Sequence, residues 1–221
     1  MRIKICGITK AEQASKIAQL GATALGFICV ERSPRYVTSS QIAEIIQQLA
    51  ISVDTIGVFA DAEIGEIAQI AIETGLSGVQ LHGAESQEFC QQLRQVVPSK
   101  IEIIKAFRIK TPESLAETAL YADHVDTLLL DAYDPHMLGG TGKTINWQDL
   151  QEFDPTLPWM LAGGLNPDNV LDALAQLKPD GIDLSSGVEK SPGDKDLDLV
   201  AKLFDNIESM AKSPENSLNC R

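Results

Sequence analysis

Eight short aliphatic runs recur along the 221-residue chain, and each is followed by a stretch of helical period. The runs are continuous rather than alternating in polarity, as strands buried on both faces are. Most of them begin a little over twenty residues apart. These three observations predict an α/β protein: a single-domain (β/α)8 TIM barrel with a parallel eight-stranded sheet, in a chain shorter than the ~250 residues typical of that fold. A doubly wound open sheet has the same alternation and stays open as the structural alternative, because alternation alone does not close a barrel.

The predicted strands are 2–6 (RIKIC), 24–28 (ALGFI), 54–59 (DTIGVF), 77–81 (SGVQL), 101–107 (IEIIKAF), 125–130 (VDTLLL), 158–162 (PWMLA) and 180–184 (DGIDL). The first helix runs from Lys10 to Leu20 and stops at Gly21. The second follows Ser39-Ser40 and places Ile42, Ile45, Ile46 and Leu49 on one face. The third, Glu63 to Ile72, gives way to Gly75, suited to a left-handed helix end. Later helices are expected near 85–97, 112–121, 146–152, 167–176 and 195–210. Thr111-Pro112-Glu113 and Asn166-Pro167-Asp168 read as helix starts, with a capping side chain and proline in the first helical position. The barrel is assigned to 1–211; the polar stretch 212–221, with Pro214, reads as a frayed tail.

Acidic residues outnumber basic ones 31 to 18, a net charge of −13 and a pI near 4.6. Nucleic-acid binding needs clustered positive charge, so this balance argues against it, and equally against docking on an anionic membrane. A small anionic ligand remains compatible wherever positive potential is local. No apolar run approaches the ~20 residues of a membrane helix. The start, Met1 to Cys6, lacks a signal-peptide core, so a cytoplasmic protein is expected. Cys6, Cys29, Cys90 and Cys220 form no CxxC pair, and no histidine stands at zinc-finger spacing, so no metal is expected. Cys29 and Cys90 read as inert thiols.

In a barrel of this type chemistry stands where strands end and βα loops begin. Cys6 ends the first strand and is followed by Gly7; it reads as a proton-transfer thiol or as a packed lining residue. Three leucines lead to Asp131 at the end of strand six. A buried carboxylate without a partner is costly, so Asp131 is either a general acid at the barrel mouth or the cap of a turn. Arg35, between Pro34 and Tyr36 in the second loop, suits planar recognition of a carboxylate or phosphate, or is a solvated loop arginine. The glycine-rich run 138–144 is not a Walker A loop, because Met137 stands where the first glycine is needed. The long loop 132–145 reads instead as a mobile lid. Gly163-Gly164 after strand seven and Ser185-Ser186-Gly187 after strand eight offer small residues and hydroxyls at two adjacent helix starts. Backbone N–H groups there suit a phosphate and require no basic patch.

In order along the chain stand KICGIT, SPRYV, VQLHG (79–83), KAFR (105–108), LLLDAYDP with GGTGKT and Trp147, LAGGLNPDNV (161–170) and DLSSGVEKSPGDKD (183–196). As a set over residues 3–204 they resemble the phosphoribosylanthranilate isomerase family of tryptophan biosynthesis. The resemblance implies an Amadori rearrangement of N-(5-phosphoribosyl)anthranilate to the 1-deoxyribulose 5-phosphate ketose, with no cofactor and no metal. It implies Cys6 as general base and Asp131 as general acid. Arg35 would hold the anthranilate carboxylate. Gly163, Gly164, Ser185 and Ser186 would hold the phosphate, and Asp183 would lie near the ribose. His82 lines the mouth with no acid or base role assigned. The implied partner is a small anionic phosphosugar, with no nucleic acid and no membrane, and the assembly a monomer or homodimer. Cys29 departs from the aromatic residue the family often carries at the end of strand two. The alternatives are a related barrel that isomerises a histidine-pathway aminoaldose phosphate, expected to carry Asp where this chain has Cys6, and a non-catalytic sugar-phosphate binder.

Overall fold

Each of the eight aliphatic runs forms a strand, and the strands close on themselves. The computed structural model describes residues 1–109, 112–132 and 147–212. The chain alternates β1 (Arg2–Cys6), α1 (Ala11–Gln19), β2 (Ala24–Ile28), α2 (Ser39–Gln47), β3 (Asp54–Phe59), α3 (Ile64–Thr74), β4 (Gly78–Leu81), α4 (Gln87–Val96) and β5 (Glu102–Ile109). It continues through α5 (Pro112–Ala116), β6 (Thr127–Ala132), β7 (Trp159–Ala162), α6 (Val170–Gln176) and β8 (Gly181–Leu184). A short hairpin, β9 (Glu189–Ser191) and β10 (Asp194–Lys195), precedes α7 (Leu197–Lys212). Strands β1 to β8 pair in sequence order, all parallel, and β8 returns to β1 with Lys4 opposite Asp183. The open-sheet alternative is thereby excluded.

The continuous apolar runs follow from two separate cores. Ile3, Ile5, Leu25, Phe27, Val79, Leu81, Leu128, Leu130, Ile182 and Leu184 face outward and pack in one cluster with the helices. The opposite parity fills the barrel with Ala24, Ile56, Ile104, Ala106, Leu129, Met160 and Ala162. Because side chains alternate along a strand, a strand with helices outside and packed side chains inside shows no polar face. The same inner parity also carries Lys4 and Cys6 in β1, Gln80 in β4, Asp131 in β6 and Asp183 in β8, as the register with the inner apolar residues shows.

Local chemistry sets the helix ends. Thr38 caps α2 and forms a reciprocal capping box with Gln41, one residue before the expected serine pair. Gly75 ends α3 at φ 74°, a left-handed conformation that costs glycine little. Ser86 caps α4 by accepting from Phe89 N–H.

Three expectations are corrected. The helix expected over 112–121 is α-helical only to Ala116 and tightens to a 3-10 turn over Glu117–Tyr121. The one expected over 146–152 is a 3-10 turn, Trp147–Leu150. Pro167 does not open α6, which starts at Val170: Asn166 Oδ1 accepts from Asp168 and Asn169 N–H, and Asn169 Oδ1 accepts from Asn166 N–H. Those side-chain bonds stabilise a turn in place of a first helical turn. Thr111, the lid expected over 132–145 apart from Ala132, and the tail expected over 212–221 beyond Lys212 lie outside the described residues.

Leu129 is fully buried in the small inner cluster, which has little room to relax around a void. Leu129→Ala should therefore cost about 2–5 kcal/mol in urea unfolding. Leu120→Ala, at a side chain 57% exposed, should change stability by less than about 0.5 kcal/mol. Equal losses at the two positions would contradict the closed, filled barrel.

Candidate active site

Strand order places the sequence-predicted residues on different strands and loops, yet they converge. Cys6, Arg35, Asp131, Gly163, Gly164, Asp183, Ser185 and Ser186 all line one cavity of about 270 Å³ at the C-terminal ends of the strands. Val58, Gln80 and His82 complete its wall on the β3–β4 side.

Cys6 is buried at the cavity wall, opposite Gly26 of β2. A Cβ on Gly26 would lie 2.7 Å from Cys6 Sγ, so the glycine makes the room the sulfur occupies. Burial pushes the Cys6 thiol above its ordinary value; Lys4 and Lys195 work against burial, and Asp183 adds to it. Burial likewise pushes Cys29 up to about 12 and Cys90 up to about 11, which keeps both thiols protonated at neutral pH.

Lys4 has no exposed surface. Its ammonium donates to Gln80 Oε1 at 2.8 Å and to Asp183 Oδ2 at 2.9 Å. Burial alone would lower the Lys4 pKa, but Asp183 and the Cys6 sulfur outweigh it, and the net shift is upward. Asp183 Oδ1 is buried and has no hydrogen-bond partner among the described residues. An acceptor left unpaired at a cavity wall is suited to a ligand hydroxyl.

Arg35 is held by the protein's own carboxylate. A turn from Ser33 to Tyr36 folds the second loop back, and Val37 N–H donates to Ile28 of β2. The Arg35 stem then crosses Gly7, whose φ of 80° and missing Cβ permit an approach that a Cβ would block at 2.7 Å. Its Nε and Nη2 grip Glu189 at 2.9 and 2.6 Å. Buried Lys195 donates to the same carboxylate at 2.7 Å and to Ser185 O at 3.1 Å. Burial would raise the Glu189 carboxyl, but hydrogen bonds from Arg35 and Lys195 outweigh it and hold it below its ordinary range. Those same bonds to Glu189 raise the Arg35 guanidinium, whereas burial lowers Lys195.

The loops after β7 and β8 meet closely. Gly163 and Gly164 both take positive φ, 92° and 67°. A Cβ on Gly187 would stand 2.0 Å from Leu165 O, so the two loops touch through a position only glycine fits. The expectation of two α-helix starts here is corrected: the eighth loop runs into a three-residue 3-10 turn, Ser186–Val188. His82 Nε2 stands 3.7 Å from Asp131 Oδ2, and His82 Nδ1 is 2.9 Å from Gln80 Nε2.

Sequence reading assigned no role to Lys4, Gln80, Glu189 or Lys195. Parity could have found the first two, since Lys4 and Cys6, or Gln80 and His82, are two residues apart and share a face of the strand. No local signal marks Glu189 as the partner of Arg35, 154 positions away.

A (β/α)8 barrel with a thiol, carboxylates and an arginine gathered at this end belongs to the class of barrel enzymes whose active sites stand on the C-terminal face. Residues 3–206 match the family described as N-(5'phosphoribosyl)anthranilate (PRA) isomerase. The isomerase of Nostoc punctiforme is 60% identical over 209 residues, 95% of this chain and 99% of that one. That of Gloeothece citriformis is 62% identical over 207 residues, 94% of each chain. Among solved structures, the Thermotoga maritima isomerase superposes with a TM-score of 0.84 at 34% identity, covering 95% of this chain and 99% of its own. A phosphoribosylanthranilate isomerase in complex with reduced 1-(o-carboxyphenylamino)-1-deoxyribulose 5-phosphate gives 0.83 at 32%, with the same coverage. The chain belongs to the N-(5'-phosphoribosyl)anthranilate isomerase family.

The Glu189 shift carries a stability consequence. A carboxyl lowered on folding contributes stability that is fully present above its unfolded value, about 4.3, and is lost as pH falls through the folded one. Wild type should therefore exceed Glu189→Gln in urea midpoint at pH 7, with the gap closing below about pH 4. A gap unchanged between neutral and acidic pH would contradict the ion-pair cluster.

Proposed function

We propose that Cys6 and Asp131 are the base and acid with which this isomerase converts N-(5'-phosphoribosyl)anthranilate to 1-(2-carboxyphenylamino)-1-deoxyribulose 5-phosphate in tryptophan biosynthesis. The observation that carries this reading is the shared cavity: β1, β6, β8 and the second, seventh and eighth loops each contribute a residue to it.

Asp131, in its acid form, gives a proton to the furanose ring oxygen. The C1–O bond breaks as the anilino nitrogen lone pair forms the C1=N bond, leaving an iminium cation. The Cys6 thiolate takes the proton from C2, and that electron pair forms the C1=C2 bond of an enolamine while neutralising nitrogen. Loss of the C2 hydroxyl proton and protonation of C1 then give the ketone. One group must deliver a proton to the ring oxygen and another remove one from C2, the two atoms that flank C1, which is why a carboxyl on β6 and a thiol on β1 suit the task. Burial, by raising the Cys6 thiol, keeps it protonated at neutral pH. An iminium next to the sulfur adds a positive charge to those of Lys4 and Lys195, favouring the thiolate when it is needed.

Arg35, aligned by Glu189, would hold the anthranilate carboxylate. Gly163, Gly164, Ser185 and Ser186 would hold the phosphate. Asp183 Oδ1 would accept from a ribose hydroxyl. The reading assigns the enzyme to the cytoplasm, and no described helix is long and apolar enough to cross a membrane. The assembly we expect is a monomer or a homodimer; the Thermotoga maritima relative is described as dimeric.

Cys6→Ser and Asp131→Asn should each lower kcat at least ~10²-fold, the scale of general acid–base catalysis. The plasmid-borne wild-type gene should rescue a tryptophan auxotroph lacking this step, and Cys6→Ala should not. Unchanged kcat in both variants would overturn the assignment. Because the free thiol is raised, kcat/KM should climb between pH 7 and 9 on a limb that Cys6→Ser lacks. Gly187→Ala, which forces the seventh and eighth loops apart, should raise KM about tenfold, equivalent to ~1.4 kcal/mol of binding, with a smaller change in kcat.

A further inference from the structure

We propose that Gln80 is a positioning residue that fixes the His82 tautomer, so that His82 presents Nε2–H to Asp131. The inference rests on the assignment of Asp131 as the general acid.

The argument is one of donors and acceptors. The Lys4 ammonium can only donate, so the Gln80 atom 2.8 Å away must be its amide oxygen. A flipped amide would set donor against donor beside a fully buried charge. The orientation of Gln80 is thus dictated by Lys4, which in turn is pinned by Asp183 on its other side. Gln80 Nε2 then faces His82 Nδ1 at 2.9 Å and has only hydrogens to offer. Nδ1 must accept, so it carries no proton, and the ring proton resides on Nε2. That is the nitrogen facing Asp131 Oδ2. Gln80 is itself buried in β4, between Val58 and Ile104 in register, so it has little freedom to turn away.

The consequence falls on the first chemical step. When Asp131 gives its proton to the ring oxygen, negative charge develops on its carboxylate. An N–H on the nitrogen that faces that carboxylate stabilises the charge as it forms. The present 3.7 Å separation is longer than a hydrogen bond, in keeping with catalytic contacts that tighten only when charge appears. With the other tautomer, an Nε2 lone pair would face the same carboxylate and oppose its ionisation.

The test is 15N NMR of the histidine side chains, with His82 identified among the three histidines by the signal lost in His82→Asn. Wild type should show a protonated Nε2 and a bare Nδ1. Gln80→Glu, nearly isosteric, should move a proton onto Nδ1. Gln80→Met should lower kcat roughly tenfold with KM within about threefold, the pattern of an interaction made in the transition state. In the His82→Asn background the same Gln80→Met change should have a clearly smaller effect on kcat, the remainder being what Gln80 does for Lys4. A proton on Nδ1 in wild type overturns the inference, as does an undiminished Gln80→Met effect without His82. The spectra answer even if Gln80→Met fails to fold. Loss of activity in Asp131→Asn with full activity in Gln80→Met would remove this inference alone; full activity in Asp131→Asn would remove the acid assignment beneath it.

Discussion

A lysine ammonium without exposed surface lies in the middle of the barrel, and much of the site is arranged by its needs. An unpaired charge in such a place is too costly to persist, so its neighbours are constrained to be acceptors. Asp183 from β8 and Gln80 from β4 satisfy Lys4. The Cys6 sulfur, on the same face of β1, is drawn into the same field. What reads as a catalytic constellation at the mouth is therefore continuous with the packing beneath it. The inner apolar cluster forms one part of the filling, and this polar chain forms another. The Arg35–Glu189–Lys195 cluster repeats the arrangement one layer out, tying the second loop to the hairpin after β8.

This arrangement resolves the conflict between a chain of net charge −13 and an anionic substrate. Around the cavity Lys4, Arg35 and Lys195 stand against Asp183, Glu189 and Asp131, three charges of each sign, so the site does not share the acidic excess of the whole chain. The acidic surface is screened within about 10 Å at ordinary salt, whereas charges and backbone N–H groups at the cavity wall are screened less. Local potential and net charge thus differ without contradiction.

The fold was almost fully legible because each strand is an aliphatic run bounded by polar turns. Predicted and observed bounds of β1, β2 and β3 coincide, and the rest differ by a residue or two. One error fell where side chains compete with the backbone. Asn166 and Asn169 bond to nearby amides and delay α6, an outcome that a proline in the first helical position does not reveal. The β9–β10 hairpin was missed because two-residue and three-residue strands carry no pattern. At the site, every residue singled out lines one cavity, since each sits at a strand end or in the loop after it. The residues beneath them escaped notice for a physical reason. A buried lysine or glutamine looks like a solvated one in sequence until the partner across the barrel is known.

Parallel pairing of β1 with β8 joins the two ends of the chain, and Lys10 and Gln13 add bonds to Asp194 and Lys195 at the same seam. This imposes an order in time as well as in space. On the ribosome the first seven strands can stack and collect their helices, yet Lys4 waits for Asp183 and Arg35 waits for Glu189. Until the last eighth of the barrel is made, a charge in its middle has lost a partner and its guanidinium has no guide. The step that seals the barrel also completes the wall of the pocket, which takes Asp183, Ser185 and Ser186 from the last strand and its loop.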